Sequence, residues 1–296
     1  MLNSFLIRWQ ALSGNTRGVW LVMLAMLCWA GMSAVNKQLG GAGLSAEQLV
    51  FLRANVVLAM LLPLVLRSRG RLVLTRNPKL HLVRGFFIAS SAFCAAWAVT
   101  RLPLAETNAY LMTVSLFMLP LGVLFLSERA HWLRWAGVGV GFLGVLVMVQ
   151  PGTAGLQPAV LVALLCALFE AGLGVALKKL GSVEPITTII WWSYLTNWLV
   201  FGLMSDFALP TLPVAAWGLL PILGLCTLGV FICYIHAYRA GDASAVEAGS
   251  FSLLLFSPLL GYFCFGEVPQ EAFWLGSGLL VAGIALVIIE PKGRAA

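Results

Sequence analysis

The sequence predicts an all-α, polytopic membrane protein, and three observations carry that prediction. Of its 296 residues, 61% are hydrophobic and 10% are charged, and the mean hydropathy is +0.97. Apolar windows of about 20 residues, the length that crosses a bilayer as a helix, recur from Trp20 to Ile289. These windows do not alternate apolar and polar residues as the strands of a membrane barrel do. Backbone groups in lipid must bond within their own element, so the spanning elements are helices.

Ten apolar runs are long enough to be transmembrane helices. Their approximate ranges are 18–38, 47–66, 83–100, 105–126, 133–150, 158–178, 186–204, 215–238, 243–264 and 273–290. They use most of the chain, so we expect no separate soluble domain. Because the number of helices is even, both termini are predicted on the same side of the membrane.

The net charge of +7 follows this topology. One side is predicted to carry Arg8, Arg17, Arg67, Arg69, Arg71, Arg76, Lys79, Arg84, Arg129, Arg134, Lys178, Lys179, Arg239, Lys292 and Arg294. The other side carries Lys37 and Arg101, and Arg53 lies inside a span. Lysine and arginine favour the cytoplasmic side, so we predict a cytoplasmic (inner) membrane protein with cytoplasmic N- and C-termini.

The two halves of the chain resemble each other. Five residues of the first half recur as the same residue types 139 positions later: Glu128, Trp135, Gly137, Gly139 and Gly144 become Glu267, Trp274, Gly276, Gly278 and Gly283. We therefore predict two five-helix repeats, at 1–151 and 152–296. An odd number of helices per repeat inserts the second copy upside down, and inverted repeats are typical of carriers that work by alternating access.

Each half also has a proline inside an apolar run, at Pro120 and Pro258. A proline in a helix interior removes one hydrogen bond and bends the helix. Matched interruptions in two repeats indicate where a transporter binds its substrate, so both prolines are predicted hinges. Kinks that only shape helix packing are the alternative.

Two segments carry a family resemblance. These are AYRAGDASAVEAGSFSLLLFSPLLGYFCFGEVPQEAFWLGSGLLVAGIAL and its counterpart LPLAETNAYLMTVSLFMLPLGVLFLSERAHWLRWAGVGVGFLGVLVMV. In AYRxGDAS, the P-x7/8-E step and the W-x-G segments, the chain resembles EamA-type members of the drug/metabolite transporter superfamily. The resemblance implies ten helices from a duplicated five-helix unit, cytoplasmic termini, a central substrate cavity and no cofactor. The sequence departs from that family's usual pattern at Glu170 and Glu247.

Glu170 is an acidic residue inside the apolar run ALLCALFEAGLGVALKKL. An ionised carboxylate there costs about 2.5–3.5 kcal/mol on insertion scales, so it needs a partner or a proton. This helix also resembles the first helix of the small multidrug resistance proteins, where a glutamate eight residues before a lysine binds protons and cationic drugs alternately. Lys178 has that spacing but is too far away to pair, and we expect it to reach the cytoplasmic surface. Glu170 is thus predicted to couple protons to substrate; a protonated glutamate bonded to a neighbouring helix is the alternative.

Aromatic and amide side chains could complete a substrate site around Glu170 by stacking on a flat or cationic ligand. The predicted substrate-binding residues are Glu170, Trp29, Trp97, Asn108, Tyr110, Trp192, Tyr194 and Tyr234. Trp29 is the repeat counterpart of Glu170. Interfacial belts and helix packing are the alternatives for the aromatic residues. Glu247 and Glu106 are interpreted as structural, and Arg239 as a partner of Asp242.

Other kinds of site are not expected. The six cysteines lie in apolar spans without a C-x-x-C pair, which indicates reduced core residues and no metal site. The G-x-G-x-G run at 137–141 lies inside an apolar span with no preceding strand, so it favours close helix packing over phosphate binding. The three histidines, His81, His131 and His236, lie near predicted cytoplasmic edges and form no catalytic constellation. We predict neither an enzyme nor a cofactor.

The sequence therefore predicts a secondary active transporter that exports a small organic metabolite, amino acid or organic cation by alternating access, with proton coupling through Glu170. An uncoupled exchanger or uptake carrier for amino acids or nucleoside-like metabolites is the first alternative. A lipid flippase or accessory membrane subunit is the second. Expected partners are a small-molecule substrate and the lipid bilayer, without nucleic acid, in a monomer or homodimer.

Overall fold

A computed structural model describes residues 9, 12–41, 43–99, 110–149, 158–266 and 271–289. Its helices are α1 Gly14–Gly41, α2 Ala46–Arg67, α3 Pro78–Val99, α4 Val114–Leu126, α5 Trp132–Val149, α6 Pro158–Val183, α7 Ile186–Met204, α8 Leu219–Ala240, α9 Ala243–Ser250, α10 Leu253–Phe265 and α11 Glu271–Ile289. Short 3-10 helices cover Arg71–Val73 and Val214–Gly218. The described ranges contain no strand, which confirms the predicted fold class.

The surface and length of these helices fit a membrane. Six described segments are long and apolar enough to span one: Gly14–Gly41, Glu47–Arg67, Pro158–Val183, Ala216–Ala240, Ala243–Cys264 and Glu271–Ile289. Large apolar side chains, among them Leu66, Leu124 and Phe263, are more than half exposed. So much apolar surface on a monomer is compatible with lipid rather than water.

Helices from the two halves pack in matching pairs. α1 packs against α8, and α3 packs against α6, which is the same pair with the halves exchanged. Likewise α4 packs against α6, while α9 and α10 pack against α1. Two further pairs join counterpart helices directly, α2 with α7 and α5 with α11. The fold therefore has two structurally related halves, as the repeat predicts.

The α5–α11 pair gives the relative direction of the halves. A Cβ atom added to Gly137 would lie 2.8 Å from the carbonyl oxygen of Gly283, and one added to Gly144 would lie 2.7 Å from that of Gly276. Moving along α5 from Gly137 to Gly144 thus moves backwards along α11, so the two helices are antiparallel. Glycine is required at these positions because backbone contacts backbone.

We expect Gly144→Ala to lower the apparent melting temperature of the protein in detergent. The added methyl group would overlap the backbone of α11, and overpacking of this kind costs roughly 1–3 kcal/mol. Gly139→Ala, on the same helix, is the matched control, because a Cβ there has no other atom within 4 Å. Equal melting temperatures for the two variants would contradict close α5–α11 contact.

Two helices are broken at repeat-related positions. Met112 and Thr113 form a turn before α4, and Phe251 and Ser252 form a turn between α9 and α10, again 139 positions apart. At the second break the N–H of Ser252 bonds the carbonyl of Gly249 at 3.1 Å, a tighter turn than the α-helical pattern. The predicted span 243–264 matches the described segment Ala243–Cys264, which this turn interrupts. Residues 105–109 of the predicted span 105–126 lie outside the described residues, and its described part contains the first turn.

The predicted hinge prolines lie elsewhere in the same helices. Pro120 is inside α4 and Pro258 is inside α10, and both helices continue through them. The breaks come several residues earlier, where polar side chains bond the backbone: Thr113 Oγ1 donates to the carbonyl of Tyr110 at 2.5 Å, and Ser250 Oγ to that of Glu247 at 2.6 Å. Such local bonds compete with helix continuation. A hinge role for either proline stays a prediction.

Candidate substrate site

Six polar side chains from five helices meet inside the bundle, and we refer to them as the central polar cluster. They are Arg84 of α3, Glu170 of α6, Tyr194 of α7, Tyr234 and Tyr238 of α8, and Glu247 of α9. The hydrophobic core of the protein surrounds Tyr194 and Tyr238.

Glu170 points toward the interior of the bundle. Leu161, Leu165 and Leu168 form the exposed stripe of α6. Glu170 is nine residues after Leu161, which at 3.6 residues per turn is about 180° around the helix. Its carboxyl group lies near the side chain of Ser91 on α3, whose hydroxyl donates to the carbonyl of Ile88 at 3.2 Å, and within electrostatic range of Arg84. The carboxyl group is therefore held on the protein side of α6, away from lipid.

Glu247 is the second acid of the cluster and is only 6% exposed. Tyr238 donates a hydrogen bond to its Oε1 atom, and the Tyr234 hydroxyl is 3.3 Å from the same atom. A Cβ on Gly174, one turn after Glu170, would lie 3.8 Å from Oε1 of Glu247. The two acids therefore lie on adjoining levels inside the bundle. Glu247 is interpreted as structural from the sequence, but its position places it in the same polar cluster as Glu170.

Arg84 supplies the positive charge of the cluster. It is 3% exposed, so it is a buried residue, although the charge count along the sequence predicts only the side of the membrane on which it lies. Nη1 donates to Ser193 Oγ on α7, and the guanidinium carbon lies 5.8 Å from the centre of the Phe231 ring. Its Nε atom is buried and has no hydrogen-bond partner. Hydropathy could not identify this residue, because Arg84 follows several basic residues near the start of α3.

Three predicted site residues, Glu170, Tyr194 and Tyr234, belong to this cluster. Tyr194 is 2% exposed and packs edge-on against Phe231 with ring centres 5.2 Å apart. Tyr234 bonds Glu247. Trp29 is nine residues after Trp20 of the exposed α1 stripe and so faces inward as Glu170 does. Trp29 is nevertheless 39% exposed, which indicates open space beside the inner face of α1.

Trp97, Tyr110 and Trp192 lie away from the cluster. Trp97 and Tyr110 pack against Ala98, Ala159, Val160 and Ala163, near the opposite end of α3 and the start of α6. Trp192 donates through Nε1 to the carbonyl of Val73 at 3.0 Å and stacks on His81. It thus fixes the α2–α3 connection. Asn108 lies outside the described residues.

We call one end of the bundle the basic face. At this end lie the start of α1, the α2–α3 and α4–α5 connections, the end of α6 and the α8–α9 turn. Glu128 accepts hydrogen bonds at the start of α9 from the N–H groups of Ala243 and Ser244 and, at 2.7 Å, from Ser244 Oγ. A carboxylate at this position satisfies unpaired N–H groups and the helix dipole. The glutamate of the P-x7/8-E step therefore joins the two halves.

Arg134 completes this network and is 1% exposed, not a surface charge. Its Nη2 atom donates to Asp242 Oδ2 at 2.9 Å, and Nη1 donates to Ser244 Oγ at 2.8 Å. The predicted Arg239–Asp242 pair is wrong, since Arg239 instead donates to the carbonyls of Gly181 and Glu184. We call Glu128, Arg134, Asp242 and Ser244 the basic-face network.

Two further residues tie the α8–α9 turn to neighbouring helices. Asn15 at the start of α1 bonds both the N–H and the carboxylate of Asp242, at 2.9 and 3.2 Å. Lys178 donates to the carbonyl of Gly241. Lys178 therefore reaches the basic face, as expected, but as a bonded and partly buried group. Together these bonds close this end of the bundle.

Glu184, between α6 and α7, anchors the α2–α3 connection to the basic face. Its Oε1 atom accepts from Thr75 Oγ1 at 2.7 Å and from the N–H groups of Arg76 and Asn77 at 2.9 and 3.1 Å. Burial alone would raise the pKa of Glu184, but these hydrogen bonds and one from the Asn77 side chain outweigh it and lower the pKa.

We expect Glu184→Ala to reduce stability by about 1.5–3 kcal/mol, the usual contribution of hydrogen bonds to a charged group. Glu184→Gln should lose less, since its amide oxygen still accepts. Because the native pKa is lowered, the stabilisation by the carboxylate is present at neutral pH and is lost as pH falls through that native pKa. Melting temperatures of wild type and Glu184→Ala should therefore converge at acidic pH. A constant difference would contradict the role of the charge.

The described residues offer no group of three His, Cys, Asp or Glu side chains that could hold a metal ion. The chemistry available in the central polar cluster is that of two carboxyl groups, one guanidinium and three phenols. Such groups bind charged solutes and exchange protons.

Comparison with known proteins identifies the class. Residues 16–150 and 157–289 each match the EamA-like transporter family, so the chain belongs to that family. Two copies of the family unit account for nearly the whole sequence. The predicted family is thereby confirmed.

Several relatives match over most of their length. The chain is 25% identical over 293 residues to the S-adenosylmethionine uptake transporter of Rickettsia felis, covering 96% of each chain. It is 28% identical to the pseudopaline exporter CntI of Pseudomonas aeruginosa, over 93% of this chain and 96% of the other. It is 29% identical to the riboflavin transporter of Rhizobium johnstonii, over 79% and 78%.

One solved crystal structure shares the fold, with a TM-score of 0.75 at 20% identity over 91% of this chain and 95% of the other. The family and the relatives are membrane transporters of small metabolites. The chain is accordingly a multi-pass membrane transporter and not an enzyme.

Proposed function

We propose that this protein is a secondary active transporter that carries a small organic solute through the central polar cluster by alternating access. In this proposal ten membrane crossings form two inverted five-helix repeats in the cytoplasmic membrane, and the basic face with both termini is cytoplasmic. The antiparallel α5–α11 pair and the repeat-related helix breaks support the inverted arrangement. The lysines and arginines near the basic face support the orientation.

Alternating access requires one end of the bundle to close while the other opens. Bonds from α1, the α4–α5 connection, α5 and α6 to the α8–α9 turn hold the basic face closed. If the basic face is cytoplasmic, as proposed, the structure corresponds to a state that is closed toward the cytoplasm. Release of these bonds would let α9 swing away and connect the central polar cluster to the cytoplasm.

The observation that carries the proposal is the inward position of Glu170. Within a weakly polar interior a carboxyl group is stable either with a proton or beside a positive charge. A cationic solute that replaces the proton of Glu170 on one side of the membrane, and gives way to a proton on the other, would be exchanged for protons. The guanidinium of Arg84 lies within electrostatic range of this carboxyl group.

Purified protein in liposomes tests the proposal. Radiolabelled lysine, S-adenosylmethionine and riboflavin would each be offered under pH gradients of both signs, and solute accumulation would be followed with and without a protonophore. We expect at least one solute to accumulate only while the gradient lasts, and the sign of the effective gradient identifies the direction, for which the sequence predicts export. Exchange that persists unchanged after the gradient collapses would favour the uncoupled exchanger. Absence of any protein-dependent flux would contradict the proposal.

A further inference from the structure

The central polar cluster contains charged groups that are not paired with one another. Arg84 is a cation, and Glu170 and Glu247 are acids. Among the described residues, no ion pair within 4 Å joins Arg84 to either acid; the ion pairs present connect Arg134 with Glu128 and Asp242. A second guanidinium, that of Arg53 on α2, also lies within electrostatic range of Tyr194, and its Nη1 atom bonds Met32 Sδ at 3.2 Å.

Arg84 is arranged as an anion receptor. Only its Nη1 atom has a hydrogen-bond partner, the hydroxyl of Ser193, while the buried Nε atom has none. An unpaired buried donor is costly to maintain, which favours a partner that is supplied from outside the chain. The side of a guanidinium that contains Nε and one Nη binds a carboxylate through two parallel hydrogen bonds.

Glu170 and Glu247 are arranged to bind positively charged groups. Glu247 accepts hydrogen bonds from Tyr234 and Tyr238, and Glu170 lies beside Ser91. In the part of the chain that the structure describes, neither acid forms an ion pair with a basic side chain. The rings of Tyr234 and Tyr238 lie 5.4 Å apart beside Glu247. Aromatic faces next to a carboxylate bind ammonium and sulfonium groups well.

We infer that the site takes amino-acid solutes that carry one carboxylate and two positive centres, with the carboxylate on Arg84 and the positive centres at Glu170 and Glu247. Lysine has this charge pattern, and so does S-adenosylmethionine. This inference names the substrate class of the proposed transporter and therefore rests on that function.

Each charge can be removed from the probe in turn. Lysine would be compared with cadaverine, which lacks the carboxylate, and with norleucine, which lacks the second cation. S-adenosylmethionine would be compared with its decarboxylated form and with S-adenosylhomocysteine, which lacks the sulfonium charge. Binding would be measured from ligand-dependent shifts in the melting temperature of detergent-purified protein at neutral pH.

We expect lysine or S-adenosylmethionine to bind at least about tenfold more tightly than either truncated analogue of its series. Arg84→Gln should remove the difference between the complete solute and the decarboxylated one. Glu247→Gln should remove the preference for the second positive charge. Arg67→Gln and Glu271→Gln, which remove like charges from exposed positions, should keep both preferences.

Equal binding of complete and truncated probes by wild type, or no binding of any complete probe, would overturn the substrate class. Arg84→Lys keeps the positive charge and is the control for a folding defect in Arg84→Gln. This variant should retain part of the preference for solutes with a carboxylate. The transport assay in liposomes is a separate readout. Flux of a solute without this charge pattern would support the proposed transport function but would contradict the inferred substrate class.

Discussion

Glu170→Gln is expected to reduce proton-driven accumulation of solute in liposomes to the level of empty vesicles. The amide has nearly the same shape as the carboxyl group, so the bundle should remain folded. It cannot exchange a proton, and it offers no negative charge to a cationic solute. Loss of transport without loss of melting temperature would therefore identify Glu170 as the coupling residue rather than a packing element.

Two variants sharpen this experiment. Glu271→Gln removes a carboxylate from the exposed first turn of α11 and should transport like wild type. Glu170→Asp keeps the carboxyl group but draws it back by one methylene, and we expect slower transport that still depends on the pH gradient. If Glu170→Gln retained gradient-dependent transport at the wild-type rate, the coupling role proposed for this residue would have to be abandoned.

Arg134→Gln is expected to destabilise the protein by about 3–5 kcal/mol, the usual effect of removing one partner from a buried ion pair. It leaves Glu128 and Asp242 without their shared cation and breaks the bond to Ser244. The same change should open the basic face. Arg129→Gln, in the same connection but exposed, is the matched control and should do neither.

A cysteine placed just inside the basic-face network would report the opening. Ser115 is fully buried on α4 and donates to the backbone carbonyl of Glu247, so Ser115→Cys is a small change at a suitable depth. In a background without the six native cysteines, a membrane-impermeant maleimide added at the basic face should label it slowly. Arg134→Gln should accelerate labelling, and unchanged rates would argue against the network as a closure.

The sequence predicts the helices well because hydropathy and length determine which segments cross a bilayer. The α7 helix begins and ends where the predicted span does, and α1, α2 and α5 differ by only a few residues at each end. The direction of Glu170 also follows from the leucine stripe on the opposite side of α6. These features depend on local periodicity, which a single sequence contains.

The missed features depend on contacts between distant parts of the chain. The burial of Arg84 and Arg134 is not predictable from charge counting, because a count along the sequence does not distinguish a basic residue outside the membrane from one turned into the bundle. Glu247 had a usable signal, since it lies 139 positions after Asn108, which was chosen for the site. The predicted hinges are Pro120 and Pro258, whereas the observed helix breaks lie where the side chains of Thr113 and Ser250 bond the backbone.

The glycine contacts between α5 and α11 also limit which parts of the molecule can move. Where the two backbones are in direct contact, no side chains lie between the helices that could repack if one helix slid or rotated against the other. The α5–α11 pair is therefore a rigid unit shared by the two halves. Motion during a transport cycle must then be concentrated in the helices that are already broken, α4 and the α9–α10 pair. Glu247 lies on α9, so a movement of α9 during the proposed transport cycle would change the distance between Glu247 and Glu170.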